Sequence, residues 1–319
     1  MRFIDPMVRL VLSAVLLATL FPVEGEARAI AQVVANGAVF LLFLLYGLRL
    51  SRAEVFAGLG NHRLLIPLVL WVFGAMTLVG AGLWQVTGAF LPPTLALGFL
   101  YLGVLPSTVQ SATAYSSLAG GNVASSVIAA ALINILGVFI SAPLFSLLAG
   151  GHSAAFHGDQ LIKVMLILLL PFVLGQVSQS FTRKWVTGHK GLLTLMDRGS
   201  IGIAVYVAFS TAVEQGIWTK VDGLGWLAVL AGCGLAMVAG YGGAWLVGGL
   251  MRQTRGDRIA MLFAGGQKSV AMGAPLATVL FPAATAGMII LPLVVYHLVQ
   301  MIVAAPIATR LAKGQSAAG

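Results

Sequence analysis

The sequence predicts an all-α integral membrane protein of ten transmembrane helices in two inverted five-helix repeats, and three observations lead there. The 319 residues are 59% hydrophobic and only 8% charged, with a mean hydropathy of +1.00, a composition incompatible with a water-solvated surface. Apolar runs of about 20 residues, the length a helix needs to cross hydrocarbon, recur along the chain with short polar links between them. Basic residues sort among those links by parity. Helices are required rather than barrel strands, because backbone groups in hydrocarbon must bond within their own segment and the runs lack period-two alternation.

The first run, 7–22, lies in "RLVLSAVLLATLFPVEGEARA"; it has the length of a signal-peptide core, but it also fits a short first span and is read as one. Spans two and three follow at 29–48 and 64–84. The fourth, 93–118, is interrupted: after Pro106 come Ser107, Thr108, Gln110, Ser111, Thr113, Tyr115, Ser116 and Ser117, too much polar surface to face lipid. Span five, 122–148, carries Asn134 and ends in "ISAPLFSLL". The sixth and seventh are 160–181 and 199–217, with Glu214 near the outer end of the latter, where it is either solvated or touches substrate. The eighth, 224–250, holds the single Cys233, which has no partner for an internal disulfide. It also holds "GYGGAWLVGG" at 240–249, whose glycines permit close helix packing. The ninth, 258–281, is interrupted by Gly265 and Gly266, then Gln267, Lys268 and Ser269, then Gly273 and Pro275. Glycine and proline free backbone carbonyls, and freed carbonyls with half-helix termini coordinate ions or charged solutes. The tenth, 284–309, carries His297 and ends in "VAAPIATRL".

The net charge of +9 does not form a nucleic-acid patch. Arg2, Arg9, Arg49, Arg52, Arg63, Arg183, Lys184, Lys190, Arg198, Arg252, Arg255, Arg258, Arg310 and Lys313 fall on one side of the membrane, and Arg28, Lys163 and Lys220 on the other. The positive-inside rule puts both termini in the cytoplasm, which requires an even number of spans and agrees with ten in a cell inner (plasma) membrane. The one basic residue this leaves out is Lys268. His62, His152, His157 and His189 fall in loops, too dispersed for a metal site.

Residues 1–150 and 160–311 both read as five spans whose fourth is interrupted and whose fifth ends in a small residue, proline and an apolar residue. Aligning Pro143 with Pro306 brings Asn134 opposite His297. Five is odd, so the second copy enters from the opposite side. Inverted repeats with paired broken helices are the architecture of secondary transporters, whose site lies where the breaks meet.

Four stretches, "FLLYGLRLS" (43–51), "LPSTVQSATAYSSLAGGNVASSVIAAALINILGVF" (105–139), "AFSTAVEQGIW" (208–218) and "FAGGQKSVAMGAPLATVLF" (263–281), resemble the bile acid:sodium symporters of solute carrier family 10, in particular the sodium/bile acid cotransporter 7-like branch. The resemblance covers nearly the whole chain. It implies broken helices 4 and 9 that cross, a core domain of spans 3–5 and 8–10, a panel domain of spans 1, 2, 6 and 7, and substrate between them.

Sodium-coupled members of that family use a carboxylate and a Gln-Asn-Ser run on the ninth helix. Here the run reads Gln267, Lys268, Ser269, the place of the carboxylate falls near Phe263, and no acidic residue follows Asp257. The sodium-liganding positions of helices 4 and 5 fall near Ala112, Thr113, Ser126 and Ala130, so about half keep an oxygen, and the third span has no glutamine before Gln85. Two sodium sites of the family kind are therefore not expected; the coupling cation, sodium included, stays open, and no other cofactor is implied. A mid-membrane lysine costs about 2.5 to 3.5 kcal/mol to insert, so it persists only beside partners or water. Lys268 then replaces a sodium ion, carries a proton through the cycle, pairs with an anionic substrate, or is a snorkelling or structural lysine. The candidate substrate or ion-binding residues are Gln267, Lys268, Ser269, Gln110, Ser111, Thr113, Ser126, Asn134, His297 and Glu214. Asn134 and His297 form either a proton relay or interhelical hydrogen bonds in the core.

No paired carboxylate, metal-ligand cluster, nucleotide fingerprint or acid-oriented Ser/His pair supports an enzyme. The expected function is secondary active transport of an organic anion, bile-acid-like or another amphipathic acid, by alternating access. A proton-coupled or uncoupled carrier is the alternative within transport, and a non-transporting regulatory membrane protein affecting ion flux the alternative outside it. The partners expected are the small-molecule anion and the lipid bilayer, with neither nucleic acid nor a protein partner.

Overall fold

The computed structural model describes residues 6–49, 61–150, 158–214 and 216–316, and contains no strand among them. Arg2, Arg52, His152 and His157 lie outside the described residues, as do Leu50, Ser51 and Gln215 of the quoted motifs and the Lys163 side chain. The helices are α1 (Pro6–Leu20), α2 (Gly25–Arg49), α3 (His62–Thr87), α4 (Pro93–Val104), α5 (Gln110–Leu118), α6 (Val123–Ala149), α7 (Gly158–Gly188), α8 (Lys190–Glu214), α9 (Gly223–Leu250), α10 (Arg255–Gly266), α11 (Val270–Leu280) and α12 (Ala283–Ser316). Among the described residues, α2, α3, α6, α8, α9 and α12 are long and apolar enough to cross a membrane, and α1 and α4 are shorter apolar helices. Leu17, Val33, Leu78, Leu235 and Ile302 are exposed on their surfaces, a surface suited to hydrocarbon and not to water. The protein is a multi-pass membrane protein.

Side-chain caps set several helix starts. Asn122 accepts from the backbone N–H of Ser125 at 3.1 Å, Asp222 from Gly225 at 2.7 Å, Thr254 from Asp257 at 3.2 Å, and Ser269 from Met272 at 3.2 Å. Pro93 takes the first helical position of α4, where its missing N–H is not needed.

One region departs from the sequence expectation. The basic stretch around 183–198, read above as a link between spans, is helical except for His189: α7 continues to Gly188 and α8 begins at Lys190. Hydropathy marks where a helix leaves the hydrocarbon, whereas the helix itself continues until a residue such as Gly188 weakens its hydrogen-bond ladder. Arg198 and Asp197 consequently sit on the wall of a helix rather than in a loop.

Helices α1, α2, α7 and α8 pack on one another. A Cβ at Gly47 would overlap the carbonyl oxygen of Phe172, and one at Gly175 that of Leu44, so the backbones of α2 and α7 touch directly. Ion pairs Arg28–Glu214 and Arg49–Asp197 tie α2 to α8. The remaining helices form the larger mass, in which α4 packs against α3, α6 and α12, and α10 against α5, α6 and α9. Its centre holds Tyr101, whose ring meets Phe145 and Phe281 edge-on at 5.7 and 5.2 Å and whose hydroxyl donates to Gly273 O at 2.6 Å. That bond pins α4 to α11 beside the two breaks.

Candidate functional site

Two interruptions lie against each other at the centre of the larger mass. Helix α4 stops at Val104 because Pro106 disfavours helical geometry at the residue before it, and Leu105 is extended with φ −78° and ψ 148°. Helix α10 stops at Gly266, and Gln267 is extended with φ −88° and ψ 153°. The two extended links are joined by the Ser269 N–H, which donates to Pro106 O at 3.1 Å.

Lys268 is fully buried between them. Its Nζ donates to Gly103 O at 2.9 Å and to Leu105 O at 2.7 Å, both at the carbonyl end of α4, where the helix dipole favours a cation. The Lys268 backbone is held as well: Gln300 Oε1 accepts from its N–H at 2.8 Å, and Gln300 Nε2 donates to its carbonyl at 2.9 Å. Gln300 Nε2 also lies 2.8 Å from His297 Nδ1. Gln267 Oε1 accepts from Thr108 Oγ1 and, at 2.7 Å, from Ser111 Oγ, so a side chain of one break is bound to side chains at the other. Asn134 on α6 donates to Ser107 O at 2.7 Å and Ala130 O at 2.9 Å, steadying the first break.

Beside this crossing lies a cavity of about 370 Å³. Its walls come from α1, α2, the 105–109 link, α5, α6, α7, α8, Ser269, α11 and α12. Gln110, Ser111, Asn134, Ser269 and His297 line it. Lys268 and Gln267 do not; both are fully buried beside it. Ser126 hydrogen-bonds Ser116 Oγ at 3.0 Å within the α5–α6 packing, and Thr113 Oγ1 is buried without a hydrogen-bond partner. Glu214 is away from the cavity lining, paired with Arg28.

The structure adds residues that the sequence reading did not assign to a site. Tyr46, Arg49, Asp197 and Arg198 line the cavity, and Gln300 brackets Lys268. Arg49 and Arg198 had counted only as topology charges. The available signal was Asp197, one of only nine acidic residues, next to Arg198.

A sodium ion at the crossing would need oxygens, and several that the family pattern would offer are engaged or missing here. The Gly103 and Leu105 carbonyls already accept from Lys268 Nζ. Phe263, where the family carboxylate would stand, is buried and stacked on Tyr115 at 5.8 Å. Ala112 and Ala130 offer no side-chain oxygen.

The chain is 38% identical over 315 residues to the putative symporter YfeH of Escherichia coli (strain K12), covering 97% of this chain and 93% of that one. It is 36% identical to the uncharacterized protein PA2026 of Pseudomonas aeruginosa, covering 95% and 91%. Similarity to sodium/bile acid cotransporter 7 of Rattus norvegicus is lower, 21% over 283 residues, covering 83% and 79%. The family model described as the SBF-like CPA transporter family matches residues 5–313, and the chain therefore belongs to that transporter family.

Proposed function

We propose that the protein is a secondary active transporter that carries an amphipathic organic anion across the plasma (inner) membrane by alternating access, with Lys268 serving in place of a coupling sodium ion. The observation that carries this reading is the cavity, which reaches both helix breaks and joins a largely apolar wall to two arginines. A lining of Val109, Ile128, Ile135, Val138, Phe172 and Met301 suits a hydrocarbon body, and the polar groups near the breaks suit a charged head.

The paired breaks support an inverted-repeat reading of residues 1–150 and 160–311. The mutual packing of α1, α2, α7 and α8 against the remaining helices supports a panel and a core, and a cavity walled by both groups is where relative motion would change access. The 38% identity to the putative symporter YfeH favours grouping the chain with such bacterial proteins over the cotransporter 7 branch, matched at 21%.

Lys268 supplies a positive charge at the crossing without binding an ion. Its two carbonyl contacts and full burial support the resident-cation role over direct pairing with substrate, since the side chain does not line the cavity.

Counterflow in proteoliposomes tests the reading. Liposomes loaded with unlabelled amphipathic carboxylates and sulfonates are diluted into labelled compound, in sodium or in choline buffer. Transient accumulation that is equal in the two buffers is expected. Binding without exchange would instead favour a non-transporting regulator, and exchange that requires sodium would remove the role given to Lys268.

A further inference from the structure

Of the two ion pairs that tie α2 to α8, only one faces the cavity. Arg28 and Glu214 are outside the lining, whereas Arg49 and Asp197 are both part of it, with Arg198 beside them. Contact between Arg49 and Asp197 uses one nitrogen and one oxygen, Nη1 to Oδ2. Nη2 of Arg49 and Oδ1 of Asp197 are buried with no hydrogen-bond partner. A guanidinium and a carboxylate have planar forks that match at two points, so this pair leaves half of each fork open. Such open groups in a buried wall are costly unless something else satisfies them.

The charge balance points the same way. Arg49, Arg198 and Asp197 are the Arg, Lys, Asp or Glu side chains in the lining, two guanidiniums against one carboxylate. Among the described residues Arg198 forms no ion pair. Among the described lining residues these three leave a net charge of +1 at the edge of an apolar chamber, complementary to a single anionic head.

We propose that Arg49 and Arg198 form the headgroup site for the transported anion, a carboxylate, sulfonate or sulfate on an apolar body, and that Asp197 is its resident substitute. With no anion bound, Asp197 holds Arg49 and spares its half-buried guanidinium from standing unpaired. An arriving headgroup takes the open Nη2, displaces Asp197 from Nη1 and pairs with Arg198. Competition from Asp197 keeps affinity low enough for release, which a carrier requires and a tight binder does not. The assignment rests on the anion-transport reading and deepens it.

The test is calorimetric titration of the purified full-length protein in nonionic detergent. The probes are naphthalene-2-sulfonate and the isosteric, uncharged naphthalene-2-sulfonamide. Wild type is expected to bind the sulfonate at least about tenfold more tightly than the sulfonamide, and Arg49→Gln or Arg198→Gln to remove that preference. Asp197→Asn is expected to tighten sulfonate binding about three- to tenfold, since the competitor's charge is gone. The double variant Arg49→Gln/Asp197→Asn is expected to bind no more tightly than Arg49→Gln. It also lacks the unpaired carboxylate, so it serves if Arg49→Gln alone is poorly folded. Equal binding of the two probes by wild type, no binding of the sulfonate, or weakened binding in Asp197→Asn would each overturn the proposal. Because the readout is equilibrium binding, failed counterflow with these results intact removes transport and leaves the headgroup site. Intact counterflow with these results absent does the reverse.

Discussion

Lys268 Nζ lies 2.7 Å from the carbonyl oxygen of Leu105, a residue 163 positions earlier in the chain, and 2.9 Å from that of Gly103. The side-chain nitrogen thus closes the carbonyl end of one broken helix from within the break of the other. Hydrogen bonds from a charged donor are stronger than neutral ones, and their strength grows where water is excluded.

If this side chain takes the role of an ion, thermal unfolding of the wild type should be the same in sodium and in choline at matched ionic strength. Lys268→Asn removes the charge and restores an amide, so sodium should stabilise that variant. A ligand at about 100 times its dissociation constant contributes roughly 2.7 kcal/mol. A midpoint raised by sodium in the wild type would show a coupling site elsewhere and sink the resident-cation role.

Gln300→Leu should cost about 2 to 4 kcal/mol, because the Lys268 N–H and carbonyl lose their shared amide partner in a buried place. Counterflow should fall more than the drop in folded protein explains, since the break that holds Lys268 is loosened. Comparing initial exchange rates per folded molecule separates the two effects; equal losses would make Gln300 a purely structural residue.

Tyr101→Phe keeps the aromatic cluster with Phe145 and Phe281 and removes one hydroxyl. The Gly273 carbonyl loses that donor, for an expected loss of about 1 to 2 kcal/mol in denaturant stability. Tyr101→Leu should cost more, because ring contacts go too; similar losses for both would place the energy in the bond and not in the ring.

Gly175→Leu would drive a side chain into the backbone of α2 at Leu44 and Gly47. Overpacking of this kind costs about 1 to 3 kcal/mol where neighbours can yield and more where the obstacle is backbone. The variant should elute as aggregate on size exclusion. Gly199→Ala, at a helical glycine with open space around it, should behave as wild type or slightly better.

Much of the fold is legible in the sequence. The apolar runs correspond to helices, and Pro106 and the Gly265–Gly266 pair mark the two interruptions, because hydropathy and backbone chemistry are local properties. Lys268 stood out for the same reason, as a charge in an apolar run. Less was legible at the site. Thr113, Ser126 and Glu214 have the right chemistry, yet they lie away from the cavity lining, because a polar residue on a helix can face any of several neighbours. Gln300 resembled any other polar residue of a long apolar span, and Arg49 and Arg198 were indistinguishable from topology charges.

By itself the sequence determined a helical membrane protein with two broken spans and one intramembrane lysine, since each follows from residue type and spacing along one segment. Only the tertiary structure decided that Lys268 meets the carbonyls of Gly103 and Leu105, that Gln267 reaches Thr108 and Ser111, and that Arg49 meets Asp197 at a cavity wall. Each of these contacts joins residues more than 140 positions apart, and the crossing angle and rotation of whole helices, which no local pattern encodes, bring them together.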